Sequence, residues 1–147
     1  MSVDDDERLI RTVFDRAANG RAMLSADLVH EDAIVIPHSD PPVAFTRDEI
    51  LAFVELHLHD SPMYEAHAQE IQHVGEGRFV VAGRIRISRG AGFADTPSAW
   101  AIEVKDGKLF RVKGTSTAEQ ACAVLKANDW RPTTAQPVKG SRQKTSQ

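Results

Sequence analysis

Apolar and polar residues alternate with a period of two through the middle of the chain. Val81, Gly83, Ile85 and Ile87 make one face apolar or bare, and Arg84, Arg86 and Ser88 occupy the other. Trp100, Ile102 and Val104 continue the alternation against Ala101, Glu103 and Lys105, and Phe110 and Val112 against Arg111 and Lys113. This period predicts strands buried on one side only, which suits an antiparallel sheet with one packed and one wet face. Asp106-Gly107 lies between two such strands and marks a two-residue hairpin, because a type I′ turn needs positive φ at both centres. Gly75-Glu76-Gly77 links an expected strand over 64–74 to one over 79–88. Residues 89–97, with three glycines or prolines among them, read as the turn ahead of a strand over 98–104.

Helical spacing appears on either side of this block. Leu9, Ile10, Val13, Phe14 and Ala17 form an apolar stripe, with Asp4 and Glu7 at the spacing of a capping box. They predict a helix over 5–18, stopped at Asn19-Gly20. A short helix is expected over 22–28, then a strand over 33–36 ended by Pro37 and a stiff loop at Pro41-Pro42. Thr46 and Glu49 make a second capping box, and Phe45 and Ile50 occupy the two positions of a hydrophobic staple. Ile50, Phe53, Val54, His57 and Leu58 follow on one stripe, closed by Ser61-Pro62. Ser116 and Glu119 open a last helix with an inner stripe of Ala118, Ala121, Cys122 and Leu125, capped at Asn128. Residues 131–147 are rich in Pro, Thr, Ser, Gln and Lys and carry no acid. They are expected to be a disordered basic tail on a single domain spanning 1–130.

Composition narrows the function. A chain of 147 residues buries roughly two thirds of its unfolded surface, enough for a core with room for a ligand. The formal net charge of −3 argues against nucleic acid as the main partner. With one cysteine, Cys122, no intrachain disulfide and no cysteine metal cluster can form, in keeping with a reducing compartment. The acidic start MSVDDDERL has no apolar run, so no membrane segment or secretory signal is expected there, and a cytoplasmic protein is.

The order helix, short helix, strand, helix and a run of antiparallel strands is joined by local texture. That texture is Glu31-Asp32 before a strand, a Pro-rich loop into a Thr-capped helix, and Lys105-Asp106-Gly107-Lys108 between two strands. Together they resemble the nuclear transport factor 2-like superfamily, and within it the SnoaL-like polyketide cyclase group. The resemblance implies an α+β fold in which a curved antiparallel sheet wraps around N-terminal helices to make a cone, with a short C-terminal helix. It also implies an apolar internal pocket, a small apolar or aromatic ligand and a homodimer through the outer sheet face. The superfamily holds isomerases, cyclases, dehydratases and epoxide hydrolases as well as modules without chemistry, so the fold does not choose the function.

The residues do not carry over the superfamily's known active sites. Steroid isomerases have a Tyr on the first helix where this chain has Val13 and Phe14. The lone Tyr64 cannot supply the two of a scytalone-type dehydratase. The inward strand positions do not hold the Asp-Arg-Asp set of the epoxide hydrolases. Three candidates for proton transfer remain. His57 lies on the apolar stripe of its helix, where an imidazole could act as a base near neutral pH. His38 and Asp40 follow the strand at 33–36, and a carboxylate on one ring nitrogen would leave the other as the base. A structural histidine satisfied in the core, or loop residues in solvent, is the competing reading of all three. Phe14, Phe53, Tyr64, Ile85, Trp100 and Ile102 are the expected pocket walls. His57 and His59 point about 200° apart on a helix, so no metal is expected, and no cofactor. Arg84, Arg86, Glu103, Arg111 and Lys113 read as a cross-strand charge ladder. The alternative to a pocket protein is a non-catalytic dimeric module using the sheet face.

Overall fold

The computed structural model describes residues 2–19, 23–38, 42–57, 63–89 and 92–132, with the backbone alone for 57, 63–64, 88–89 and 93. Helix α1 (Val3–Ala18) is followed by strands β1 (Val29–Ile36) and β2 (Phe45–Thr46), helix α2 (Arg47–His57) and strands β3 (Met63–Gly75), β4 (Arg78–Arg89), β5 (Gly92–Lys105) and β6 (Lys108–Thr115). Helix α3 (Ala118–Ala127) closes the sequence of elements. The six strands form one curved sheet in the order β2-β1-β6-β5-β4-β3. It is mixed, because β1 runs parallel to β6 while the other neighbours are antiparallel.

The turns follow the residues. Asp106 and Gly107 both take positive φ, 55° and 74°, as a type I′ hairpin requires. Gly77, at φ 66°, makes the β3–β4 turn. Thr46 and Glu49 form the reciprocal box expected of them: the Thr46 N–H donates to Glu49 Oε1 at 2.9 Å and the Glu49 N–H to Thr46 Oγ1 at 3.4 Å. Asn128 caps α3 in the left-handed conformation.

Four local expectations are corrected. The cap of α1 is Ser2, whose hydroxyl accepts from the Asp5 N–H, and not Asp4. The cap of α3 is Thr117 paired with Gln120, one residue beyond Ser116. Residues 23–28 hold a turn rather than a helix, with the Leu28 N–H on the Ser25 carbonyl. There the Ser25 hydroxyl donates to the Asp27 carboxylate, the side-chain bonding that draws such residues out of helices. Finally, Gly92–Pro97 is strand, paired along its whole length with Arg84–Arg89. β6 stops opposite Ala99, so among the described residues β5 is an edge on that side and Pro97 costs no ladder bond there. The expected stops at Gly20 and at Ser61-Pro62, and the tail from 133 onward, lie outside the described residues.

Two apolar clusters sit on opposite faces of the sheet. The larger one packs Ile10, Val13, Phe14 and Ala17 of α1 and Ile50 of α2 against Ala66, Phe79, Val81, Ile85, Trp100, Ile102 and Leu109. This is the inner face. The smaller one packs Ala121 and Leu125 of α3 against Val80, Ala99 and Ala101. The period-two pattern therefore describes a sheet that is covered on both faces at its centre.

Candidate functional site

The site grows from the place where β1 ends. Pro37 breaks the strand, and the next side chain, His38, turns onto the inner face. Its ring sits over Gly114, where a Cβ would lie only 2.5 Å from Nδ1. Gly114 is the register partner of Trp100, so the bare position on β6 makes room for the imidazole beside the indole. The two rings meet edge to face, with centroids 5.2 Å apart at 87°. Trp100 is itself met edge to face by Phe14 of α1, at 4.8 Å and 69°. Three of the residues singled out in the sequence, Phe14, Trp100 and His38, are thus brought together in one line of aromatic contacts.

The protonation state of His38 follows from its partners. Nε2 lies 2.8 Å from the Thr115 carbonyl oxygen, and a carbonyl can only accept. Nε2 therefore carries the proton, and in the neutral ring Nδ1 holds the free lone pair. Nδ1 is buried and has no hydrogen-bond partner among the described residues. Burial pushes the pKa of His38 below the ordinary histidine value, against the opposing pull of the Thr115 and Ala99 backbones. The result is an uncharged imidazole whose basic nitrogen faces an apolar surround. The tautomer is set by a backbone carbonyl, the role sequence reasoning gave to Asp40; Asp40 lies outside the described residues.

The other candidates are spread more widely. Ile85 and Ile102 are buried on the inner face with Trp100. Phe53 is 38% exposed, and its ring packs against Phe45 at 5.1 Å. Tyr64 pairs with Ile87 through its backbone and His57 is the last residue of α2; the side chains of both lie outside the described residues. Gly114 was missed by sequence reasoning, although a glycine inside a strand signals close approach of another group. Asp6 was missed as well: it is buried on the inward stripe of α1, four residues before Ile10.

On the outer face the charge ladder is only partly as expected. Arg84 and Arg86 clamp Asp95, at 2.9 and 3.1 Å, and hold its carboxyl below the usual range. Glu65 and His67 pair beside them at 2.9 Å. Lys113 is instead buried, with Nζ donating to the Arg131 carbonyl at 2.8 Å, and Arg111 stacks on Phe110. Among the described residues, no group of three or more His, Cys, Asp or Glu could hold a metal ion, and no helix is long and apolar enough to cross a membrane.

No protein-family model and no curated protein matches the chain. Solved structures do. An NTF2-like protein of unknown function from Burkholderia pseudomallei superposes with a TM-score of 0.63 at 15% identity, covering 85% of this chain and 98% of that one. The chain has the nuclear transport factor 2-like fold. An LEH-like epoxide hydrolase from M. tuberculosis shares this NTF2-like fold at a TM-score of 0.65 and 9% identity, over 86% of this chain and 98% of the other. A candidate polyketide cyclase from Xanthomonas campestris pv. campestris superposes at 0.60 with 13% identity, over 82% of this chain and 96% of its own. In the NTF2-like frame, the line Phe14–Trp100–His38 lies on the face where the sheet meets α1.

Proposed function

We propose that the inner face of the sheet binds a small apolar or aromatic molecule and that His38 accepts a proton from it in isomerase- or cyclase-like chemistry. The observation that carries this reading is the buried, unpartnered Nδ1 of a histidine whose other nitrogen is fixed on Thr115. Nδ1 takes a proton from an acidic C–H of the substrate, and the imidazolium keeps its Nε2–H bond to the Thr115 carbonyl. Charge on that ring is disfavoured by burial, so the proton returns readily, from Nδ1–H to another atom of the same substrate. A base that gives its proton back in this way shifts a double bond or closes a ring without net loss or gain. Trp100 and Phe14 supply the aromatic wall. The structural likeness to a candidate polyketide cyclase and an epoxide hydrolase supports a small-molecule role. The same reading takes the protein as cytoplasmic and residues 131–147 as a disordered basic tail.

The test is solvent-deuterium exchange into aromatic ketones that raise the melting temperature of the protein. His38→Gln is expected to keep the binding and to slow exchange by about 100-fold or more, the scale of one general base. His57→Ala, measured in parallel, is expected to leave exchange in place. Unchanged exchange in His38→Gln defeats the assignment.

A second reading keeps the fold as a non-catalytic dimeric module. The ion-paired outer patch of Glu65, His67, Arg84, Arg86 and Asp95 favours it, because α3 already occupies the outer face over Val80, Ala99 and Ala101. A homodimer through the sheet then uses the β3–β4–β5 end that α3 leaves open. A monomer by sedimentation at micromolar concentration removes it.

A further inference from the structure

Asp6 is at odds with its surroundings. It is the first residue of the buried stripe of α1, in line with Ile10, Val13, Phe14 and Ala17. The residue is only 8% exposed, and its Oδ1 is buried with no hydrogen-bond partner among the described residues. The helix does supply cations to two of its other acids: Arg8 bonds Asp5 at 3.4 Å and Arg11 bonds Glu7 at 2.9 Å. Among the described residues Asp6 is in no ion pair. Nor is it needed to start the helix, since Ser2 is the cap and Asp4 and Asp5 already place acid in the first turn. A carboxylate oxygen buried without a donor is a costly choice that an apolar residue would avoid.

We propose that Asp6 is a ligand-binding residue, the second polar anchor of the inner face, and that the ligand carries a hydrogen-bond donor there, an ammonium before a hydroxyl. This rests on the reading that the inner face binds a small apolar molecule. Asp6 and Phe14 are eight residues apart on one helix face, about 12 Å along the axis. Phe14 touches Trp100, and Trp100 touches His38. The inner face therefore has an acceptor at each end, the Asp6 carboxylate and His38 Nδ1, with Ile10 and Val13 between. An elongated apolar or aromatic body with its donor at the α1 end suits that arrangement. A carboxylate at the same end would meet Asp6 with like charge.

Four probes of one shape test the assignment: 4-phenylbenzylamine, 4-phenylbenzyl alcohol, 4-phenylbenzoate and biphenyl, titrated calorimetrically against the full chain. The amine is expected to bind about tenfold tighter than the carboxylate, the worth of one hydrogen bond to a charged group, with the alcohol between them. Asp6→Asn, which keeps the shape and removes the charge, is expected to bring amine and carboxylate within roughly threefold of each other. Asp6→Leu is expected to raise the melting temperature of the ligand-free protein and to make biphenyl the best ligand. Binding with an unchanged rank order in Asp6→Asn overturns the role of Asp6 and leaves the inner-face reading standing. A lower melting temperature in Asp6→Leu also overturns it, because the carboxylate is then structural. Failure of all four probes to bind overturns both.

Discussion

A Cβ on Gly114 would fall within 2.5 to 2.8 Å of three atoms of the His38 ring, so the glycine and the histidine behave as one position. Gly114→Ala is expected to push the imidazole away from Trp100. It should cost about 1–3 kcal/mol, the usual scale of overpacking, and change the tryptophan fluorescence. Exchange activity should fall with it as it does in His38→Gln. Acid should act through the same ring. The folded protein resists protonating His38, while the unfolded chain takes up the proton around the ordinary value of 6.5. Below that value the unfolded state holds more protons, so stability falls as pH falls, until the folded ring is also protonated. Melting temperatures taken from about pH 8 down to about pH 5 should show this acid-side loss in the native protein and a shallower one in His38→Gln. The sequence placed His38 next to a strand end but gave no sign of its partner. Thr115 is 77 residues away, and a backbone carbonyl carries no signature in residue type.

Elements whose cause is local were legible, and those whose cause is a choice between equals were not. The Thr46–Glu49 box and the Asp106-Gly107 turn form where they were expected, because each is complete within four residues. Thr46→Ala is expected to cost about 1 kcal/mol, visible as a lower denaturant midpoint with an unchanged slope. The starts of α1 and α3 were each misplaced by one or two residues. Ser2 and Asp4, like Ser116 and Thr117, are chemically able to do the same work. What decides is which residue has extended backbone, ψ 164° at Ser2 and 158° at Thr117, and that is set by the chain's path. β5 was cut short for a similar reason. Glycine and proline signal turns, but Arg84 and Arg86 hold Asp95 across the pair, and the free edge opposite tolerates Pro97.

For the whole molecule, the amphipathic stripe of α3 was read correctly from its spacing, yet a stripe does not say which face of a sheet it will cover. The alternation along β4 and β5 was read as one dry and one wet side. The outer side is dry at Val80, Ala99 and Ala101, where alanine or valine stands in place of a charged residue. Leu125 is 3% exposed at the centre of this second cluster. Leu125→Ala is expected to cost about 2–5 kcal/mol, measured by chemical denaturation, without changing the ligand binding proposed for the inner face. A matching loss of binding would mean that the two faces are not separate.

β5 is the wall between those faces. Its outward residues, Ala99 and Ala101, are small, while its inward ones, Trp100 and Ile102, are large. Neighbours in sequence therefore answer to different packing demands. On the proposed reading, a lineage can rework the inward pair to suit a new ligand while α3 keeps its seat, or reshape the seat while the ligand stays the same. One strand thus lets the packing of two faces drift independently, one residue apart.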